Sequence, residues 1–324
     1  MNPDTRIYIA GHRGLAGSAT ARALKARGYR NLLLRTHAEL ELTDRAAVRA
    51  YFENERPEHV YLAAAKVGGI MANFELPAEF VYLNLAIQNN VIEESRRAGV
   101  KRLLFLGSVC IYPRDCPQPI KEEFLLTGPL EFTNRPYAIA KIAGIEMCWA
   151  YNRQYGTRYL AAMPNNLYGP GDNYDPRHSH VLPAFIRKFH EAKASGAKAV
   201  TLWGTGKPRR EMLHSDDMAE ACVALMELPD ARFDKLVASD PASPQPPLIN
   251  MGWGEDFTIK ELADRVREVV GFSGEIQWDT SKPDGTPRKL LDISRMKAMG
   301  WSPRIPLDDG LRGAYQDFLS RFSK

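Results

Sequence analysis

Three residues in the first half of the chain have the types and spacing of a carbonyl-reducing site. Tyr137 and Lys141 lie four residues apart in a segment of helical period, which places them on one helical face. The ammonium of Lys141 can lower the pKa of the Tyr137 phenol and hold a nicotinamide ribose. An acidified phenol can give a proton to a carbonyl oxygen as hydride arrives at its carbon. Ser108, just after an apolar strand, is placed to hydrogen-bond the same oxygen, so the set predicts a nicotinamide-dependent oxidoreductase.

The start of the chain carries a loop that such a cofactor requires. Gly11, Gly14 and Gly17 form a GxxGxxG pattern between a strand-like run and a helical segment. Gly11 permits a tight turn, Gly14 lets backbone approach a pyrophosphate, and Gly17 allows the helix to pack closely on the strand. The helix N-terminus then faces the phosphates with backbone N–H groups and its positive dipole end. This order predicts a dinucleotide-binding domain.

Two arginines indicate which dinucleotide is bound. NAD enzymes usually place an acid after the second strand, where it binds the ribose 2′-OH. In this chain Arg35 occupies that position, and Arg13 adds a second guanidinium inside the glycine loop. Two cations suit a 2′-phosphate, so the sequence predicts NADP(H) rather than NAD(H). The alternative is that both arginines are solvated on the surface.

Apolar runs of strand length alternate with helical segments through the first half of the chain. The predicted strands are residues 7–10, 32–34, 59–63, 103–106 and 158–163. The predicted helices are residues 15–27, 78–98 and 137–155. Strands of continuous apolar character between helices indicate a parallel sheet that is covered on both faces.

The second half is less regular. Pro and Gly cluster at residues 164–183, and residues 238–247, rich in Ser and Pro, are predicted to form an exposed loop. A later helix is predicted over residues 259–270, with Thr258 as its N-cap. The fold class predicted is α/β, a Rossmann-type doubly wound parallel sheet with a smaller α/β C-terminal substrate lobe. The sheet domain is assigned residues 1–164 with 211–235 returning to it, and the lobe residues 165–210 and 236–324.

Composition narrows the class of protein. No stretch of the 324 residues is apolar for long enough to span a bilayer, and the N-terminus lacks the apolar region of a secretory signal, so a cytoplasmic protein is expected. The net charge of +4 comes from scattered Lys and Arg without a basic run, which argues against a nucleic-acid partner. The cysteines show neither CxxC nor metal-ligand spacing, so free thiols and no metal site are expected. They are Cys110, Cys116, Cys148 and Cys222.

These motifs resemble those of the extended short-chain dehydrogenase/reductase family, and the resemblance covers nearly the whole chain. The matching segments are residues 10–17, 63–70, 107–113, 136–144, 166–170 and 282–292. The chain departs from the family at Val109, where a second serine is usual. The catalytic serine corresponds to Ser108, so the departure leaves the triad intact and bears on packing beside the cofactor.

The resemblance implies two more catalytic residues. Cys110 looks like the base that removes protons from the carbons flanking a ketone, and His180 like the acid that returns protons on the opposite face. Ser108 and Tyr137 would stabilise the enolate oxygen, and in an extended segment Ser108 and Cys110 would share a face. Without the resemblance, Cys110 would be a buried inert thiol and His180 a hydrogen-bonded loop residue. The implied reaction is NADPH-dependent 3,5-epimerisation and 4-keto reduction of a GDP-linked 4-keto-6-deoxy sugar.

The resemblance also implies binding residues. The cofactor set is Gly11, Arg13, Gly14, Leu15, Gly17, Arg35, Asp44, Ala64, Leu106, Lys141, Pro164, Asn165, Asn166, Leu167 and His180. The GDP-sugar substrate would meet Lys188, Trp203, Arg210 and Asp279, with Lys282 and Arg288 as weaker candidates. Arg210 would pair with the diphosphate and Trp203 would offer a stacking wall. The alternative is that Lys188 is solvated on the surface of a helix, Trp203 lies in the core of the lobe and Arg210 forms a surface ion pair.

Two classes of rival function stay open: another sugar-nucleotide enzyme of the same family, and a catalytically silent protein. A related sugar-nucleotide 4-epimerase would favour an acid in place of Arg35, and a 4,6-dehydratase would carry an acidic pair where this chain has Val109 and Cys110. A catalytically silent NADP-sensing protein on the same fold would not need Ser108, Tyr137 and Lys141 together. The resemblance further implies a homodimer in which the helices predicted over 78–98 and 137–155 form a four-helix bundle.

Overall fold

The computed structural model describes residues 1–176, 179–238, 246–282 and 284–322. The strands are β1 Ile7–Ala10, β2 Leu32–Leu33, β3 His59–Leu62, β4 Arg102–Leu106, β5 Tyr159–Pro164, β6 Asn166–Tyr168, β7 Ala199–Trp203, β8 Arg209–Arg210, β9 Met212–His214, β10 Leu248–Met251, β11 Phe257–Thr258, β12 Glu275–Asp279 and β13 Arg288–Lys289. The helices are α1 Leu15–Ala26, α2 Arg45–Glu55, α3 Ile70–Glu75, α4 Pro77–Arg97, α5 Arg135–Tyr155, α6 Val181–Ala194, α7 Ser215–Met226, α8 Asp230–Val237, α9 Ile259–Val270, α10 Ser294–Ala298 and α11 Leu307–Phe322.

A parallel sheet of six strands, in the order β10-β5-β4-β3-β1-β2, forms the framework. The residues of β1, β3, β4, β5 and β10 are all buried, because helices cover both faces, and this explains their continuous apolar runs. The predicted doubly wound parallel sheet is confirmed. The chain leaves β1 towards β2 on one side and returns to β3 on the other, so the strand order reverses between β1 and β3. Ligands of open α/β sheets bind at the carboxyl ends of the strands beside such a reversal.

Two apolar layers enclose this sheet. On one face, α2, α4 and α5 bury residues such as Phe52, Val91 and Ile145 against the strands. On the other face, α1 and α7 pack together through residues such as Leu24 and Val223. The segments that carry Ser108 and Tyr137 therefore lie on a framework that is packed on both faces.

A third apolar cluster forms the core of a smaller lobe. Phe189 of α6, Val266 of α9 and Leu311 of α11 are buried together there. Two short sheets complete the lobe: β12 runs parallel to β7, and β8 lies between β11 and β13. Thr258 is the N-cap of helix α9, as the sequence predicts, and its side chain accepts from the Glu261 amide in a reciprocal capping box.

The assignment of residues 236–324 to the lobe needs a correction. Strand β10, from this segment, pairs with β5 as the edge of the large sheet, in the register Leu248↔Ala161. All four of its residues are buried, and Leu248, Ile249 and Met251 are apolar, as in the other strands of the large sheet. The loop predicted over 238–247 lies for the most part outside the described residues. In the described part of the chain, no helix combines the length and apolar character needed to cross a bilayer.

Candidate active site

The glycine loop joins β1 to α1 in a turn whose close contacts exclude other residues at two positions. Gly11 has φ 85°, and a Cβ there would lie 2.7 Å from the backbone N and Cα of Ala64. A Cβ on Gly17 would lie 2.6 Å from the carbonyl carbon of Gly11. Both obstacles are backbone atoms, which cannot rotate away as a side chain can. A Cβ on Gly14 would meet only ordinary contact at 3.5 Å, so folding alone does not require glycine there.

The start of α1 fits a phosphate group. No side chain caps this helix, so the amides of its first turn, beginning at Leu15, are available to an anionic ligand. Arg13 is exposed beside it and forms no ion pair with the described residues. The predicted phosphate cradle is thus present as backbone geometry, next to the reversal of strand order.

Arg35 is more constrained than either sequence-based interpretation predicts. Its guanidinium donates to Glu55 Oε1 at 2.5 Å and to the Leu34 carbonyl oxygen at 3.0 Å, and lies 5.5 Å from the centre of the Tyr51 ring. It is therefore a half-buried ion pair rather than a solvated side chain. A 2′-phosphate would have to share Arg35 with Glu55. Asp44, expected near the adenine, caps α2 by accepting from the amides of residues 46 and 47.

Ser108, Tyr137 and Lys141 converge at the carboxyl end of β4. Lys141, 3% exposed, donates from Nζ to the Leu106 carbonyl oxygen at 2.7 Å, so Leu106 serves the site through its backbone. Burial lowers the pKa of Lys141 to about 8. Burial also raises the pKa of Tyr137, and a hydrogen bond with Ser108 opposes this rise. The expected lowering of the Tyr137 pKa by Lys141 is therefore wrong for this arrangement, since the lysine is held by Leu106 and desolvation dominates.

Cys110 joins the same cluster, but not by the geometry that an extended segment would give. Val109–Ile111 form a short 3-10 helix that begins after Ser108, and the Cys110 amide donates to Ser108 Oγ at 3.4 Å. The tight turn, rather than a shared strand face, brings the two side chains together. Burial raises the pKa of the Cys110 thiol, while the charge of Lys289, a hydrogen bond with Ser108 and the charge of Lys141 lower it. Val109 itself is buried in the apolar layer.

His180 lies outside this hydrogen-bonded cluster. It precedes α6 as its N-cap residue in extended conformation, with no capping hydrogen bond from its side chain. Although the residue is exposed to solvent, surrounding protein desolvates its ring and lowers its pKa. The imidazole is consequently neutral near pH 7 and can accept a proton there more readily than it can donate one. Within the described residues, no contact joins its ring to Ser108 or Tyr137.

The segment after β5 forms a buried polar floor. The Asn165 side chain donates to the Glu211 carboxylate, and its Oδ1 accepts from the Asn166 amide at 2.9 Å. Glu211 also accepts from the backbone amides of Gly254 and Leu291, at 2.6 and 3.0 Å. Burial raises the pKa of Glu211 to about 7, against these hydrogen bonds. Asn165 thus positions this floor. Its neighbours Pro164 and Leu167 lie in β5 and β6.

Four of the predicted substrate residues meet at the carboxyl ends of β7 and β12. Asp279 and Trp203 are register partners in the parallel pair. Trp203 is 56% exposed, so the alternative of a core residue is wrong. The ammonium groups of Lys188 and Lys282 lie 5.8 and 5.7 Å from the Trp203 ring. An exposed indole with two cations over it can stack a base and attract an anion.

Arg210 and Arg288 point in different directions. Arg288 and Arg209 share the carboxylate of Asp256, which removes Arg288 from the cleft. Arg210 is half-buried and donates to the carbonyl oxygens of Arg209 and Thr286 at 2.7 and 2.6 Å. It is therefore not a surface ion pair. Lys289, the register partner of Arg210, was not singled out by the sequence patterns, although alternation along β13 places it on the face opposite Arg288.

The chain is similar to known proteins over almost its whole length. Residues 7–237 match the family described as NAD dependent epimerase/dehydratase. GDP-L-fucose synthase 1 of Arabidopsis thaliana is 54% identical over 98% of this chain and 94% of that protein, and GDP-L-fucose synthase of Escherichia coli K12 is 53% identical over 97% and 96%. A solved structure of a GDP-mannoheptose C4 reductase from Campylobacter jejuni with NADP bound is 42% identical, with a TM-score of 0.87 over 98% and 99% of the two chains. The chain belongs to the NAD dependent epimerase/dehydratase family, and its whole length is similar to the GDP-L-fucose synthases.

Proposed function

We propose that this protein catalyses the NADPH-dependent 3,5-epimerisation and 4-keto reduction of GDP-4-keto-6-deoxy-D-mannose, which yields GDP-L-fucose. The observation that carries the proposal is the single cluster in which the Ser108 hydroxyl meets both the Cys110 thiol and the Tyr137 phenol. A reductase needs only the phenol, and an epimerase needs a base beside the same ketone. The names of the 53–54% identical relatives support the same substrate.

The glycine loop, the uncapped start of α1 and Arg13 would hold the cofactor phosphates. Bound NADPH would supply the hydride that reduces C4. Lys141, anchored on Leu106, would hold the ribose, and Tyr137 would protonate the C4 oxygen. NADP(H) is favoured because Arg13 has no ion-pair partner among the described residues and because the similar Campylobacter structure contains NADP.

The epimerisation half would run through the same ketone. A Cys110 thiolate takes the proton from C3 or C5, the C–H electron pair moves toward the C4 oxygen, and Ser108 and Tyr137 hydrogen-bond the enolate. A proton returned to the opposite face then inverts the carbon, and His180 is the proposed donor. Because desolvation lowers the pKa of His180, donation at neutral pH requires that substrate binding raise it.

The GDP moiety would lie across the lobe. Trp203 would stack against the base, Lys188 and Asp279 would border it, and Arg210 would face the diphosphate. Lys282 joins this group through Trp203, whereas Arg288 is held by Asp256 and is not proposed as a ligand. Residues 1–164 with 211–235 and β10 would form the cofactor domain.

The test uses the purified protein with GDP-4-keto-6-deoxy-D-mannose and NADPH in heavy water. We expect deuterium at both C3 and C5 of the product, with one NADPH consumed per sugar. Cys110→Ser, in which the hydroxyl is far less acidic than a thiol, should keep ketone reduction and lose most of the deuterium. Tyr137→Phe should lose most of the ketone reduction and keep more of the deuterium uptake at C3 and C5. Wild-type reduction without deuterium would overturn the epimerase half.

A simple GDP-sugar C4 reductase is the second candidate, because the similar Campylobacter structure is named as one. In that case Cys110 would be a buried thiol without chemistry, consistent with the rise of its pKa on burial. The heavy-water product decides between the two, since a reductase introduces no carbon-bound deuterium from solvent at C3 or C5.

A homodimer through α4 and α5 is part of the proposal. These two helices pack against each other and expose apolar side chains on their outer faces, among them Tyr82 at 69% exposure, Ile139 and Tyr155. Sedimentation at micromolar concentration should give a dimer, and Tyr82→Glu should weaken it; a wild-type monomer would contradict it. The four free cysteines are consistent with the proposed cytoplasmic location.

A further inference from the structure

Strand pairing in the lobe separates two adjacent basic residues, Arg288 and Lys289. β13 runs parallel to β8 with the register Arg288↔Arg209 and Lys289↔Arg210. Side chains alternate along strands, so Arg288 and Arg209 meet on one face, where Asp256 joins them. Lys289 and Arg210 consequently share the other face.

The backbone around Lys289 is tied to the loop that follows Cys110. The Lys289 carbonyl oxygen accepts from the Glu211 amide at 3.3 Å and from the Asn165 side chain at 3.4 Å. The next residue, Leu290, donates to Gln118 Oε1 at 2.9 Å and accepts from the Ile120 amide at 2.7 Å. These contacts fix Lys289 between the substrate lobe and the catalytic segment.

The Lys289 ammonium has no hydrogen-bonded counter-ion in the described part of the chain, and it is desolvated by the surrounding protein. Cys110 is its first electrostatic partner, followed by Arg210, Glu131 and Cys116. Glu131 is already engaged by Arg114, at 3.5 Å. An unpaired ammonium in a recessed site is stabilised by a nearby anion.

The other groups near Cys110 are either uncharged or already donate hydrogen bonds to the protein. Ser108 is neutral, Tyr137 is uncharged at physiological pH, and the Lys141 ammonium is bound to the Leu106 carbonyl oxygen. Arg210 donates to two backbone carbonyl oxygens. Among the described residues, Lys289 is therefore a cation near the thiol whose side chain makes no hydrogen bond to the protein.

We propose that Lys289 is a positioning residue whose ammonium is the counter-ion of the Cys110 thiolate. Its function as an aid to proton abstraction rests on the proposed epimerase activity. The ion pair itself does not, because it is a property of the free protein. Lys289 takes no proton from the substrate; it raises the thiolate fraction of Cys110, which is the form that acts as a base.

The experiment measures alkylation of Cys110 by iodoacetamide between pH 6 and 10 in the protein without cofactor or sugar. The Cys116→Ser background removes the most exposed competing thiol, and peptide mass spectrometry follows Cys110 itself. Lys289→Met keeps the apolar stem and removes the charge, whereas Lys289→Arg keeps the charge. Lys297→Met, on the exposed surface of α10, is the control for loss of one positive charge.

With Lys289→Met, we expect the midpoint of the alkylation profile to rise by about one pH unit. At pH 8 alkylation should slow about four-fold, because the more basic thiolate is also the better nucleophile. Lys289→Arg should restore most of the wild-type profile, and Lys297→Met should match wild type. Circular dichroism melts establish that each variant is folded.

An unchanged midpoint in folded Lys289→Met, or an equal shift in Lys297→Met, would overturn the ion pair. If Lys289→Met does not fold, Lys289→Gln takes its place with the same expected midpoint shift. The heavy-water assay is independent of this outcome: a shifted alkylation profile without deuterium uptake in wild type would keep the ion pair and refute the epimerase activity. Where both hold, Lys289→Met should slow deuterium uptake more than ketone reduction.

Discussion

Replacement of Gly17 by alanine tests the cofactor loop most directly, because the new methyl group meets backbone. The added Cβ would lie 2.6 Å from the carbonyl carbon of Gly11 and 2.9 Å from Cα of His12. The φ of Gly17 is not positive, so alanine itself is not strained at this position. The whole effect must therefore come from crowding between α1 and the loop.

The size of the effect follows from these distances. Ordinary contacts begin near 3.4 Å, and the Gly11 carbonyl oxygen would lie even closer to the new Cβ than its carbon does, so the loop and the start of α1 must separate by about 1 Å. Crowding of this kind costs about 1–3 kcal/mol in the free energy of unfolding. Displacement by nearly 1 Å of the groups that hold the reacting partners can lower kcat/KM by on the order of 100-fold. Gly17→Ala should therefore lose both stability and NADPH-dependent activity.

Alanine substitution at two other glycines separates the effect on stability from the effect on NADPH binding. Alanine at Gly14 meets the nearest atom at 3.5 Å, so it should leave the unfolding free energy within about 0.5 kcal/mol of wild type while weakening NADPH binding. Gly313 lies on an exposed turn of α11 with open space around it. Gly313→Ala should stabilise the protein by about 0.5–1 kcal/mol without any effect on NADPH.

The measurements are urea unfolding without ligand, and NADPH titration by fluorescence. The reasoning is refuted if Gly17→Ala unfolds at the wild-type urea concentration and binds NADPH with wild-type affinity. Equal destabilisation by Gly14→Ala and Gly17→Ala would also contradict it, since the geometry assigns crowding to Gly17 and not to Gly14.

Arg35→Ala should raise KM for NADPH about ten-fold and leave KM for NADH nearly unchanged, because only NADPH carries the 2′-phosphate; equal changes would contradict the assignment. Asp172 gives a pH-dependent prediction, since burial raises its pKa from 3.8 to about 7 and its Oδ2 has no hydrogen-bond partner. The folded protein holds this proton more tightly than the unfolded chain, so Asp172 lowers stability progressively as the pH rises from about 4 to about 7. Asp172→Asn should be more stable than wild type by on the order of 3 kcal/mol at pH 8 and equal to it at pH 4, measured by urea unfolding, while Asp309→Asn, at an exposed carboxylate, should not differ between the two pH values.

The local sequence pattern was sufficient to predict most strands of the large sheet. The predicted runs at residues 7–10 and 103–106 reappear as Ile7–Ala10 and Arg102–Leu106, because burial on both faces leaves an unbroken apolar signal. Helix α2 was missed, since Arg45–Glu55 buries only Val48, Tyr51 and Phe52 and has few apolar positions to define a period. The residues of strand β10 were assigned to the lobe with the rest of 236–324, because four residues carry no information on which sheet they join.

The proposed catalytic residues also show which features depend on local sequence and which on long-range contacts. The spacing of Tyr137 and Lys141 is a property of one helix, and the structure keeps both on α5 at the carboxyl end of β4. The relation of Ser108 to Cys110 depends on whether the chain turns after β4. The sequence predicted an extended segment there, whereas the chain forms a 3-10 helix that still brings the two residues together.

Lys289 could be recognised only through strand pairing. In the sequence it follows Arg288, and the two are equivalent as basic residues near the end of the chain. Once β13 pairs with β8, alternation assigns Arg288 to Asp256 and Lys289 to the face of Arg210. One residue of register therefore decides whether a basic side chain pairs with Asp256 or lies near the Cys110 thiol, the proposed base. A one-residue slip would exchange the two, so the hydrogen bonds that the amides of residues 290 and 291 donate to Gln118 and Glu211 also determine which cation lies near Cys110.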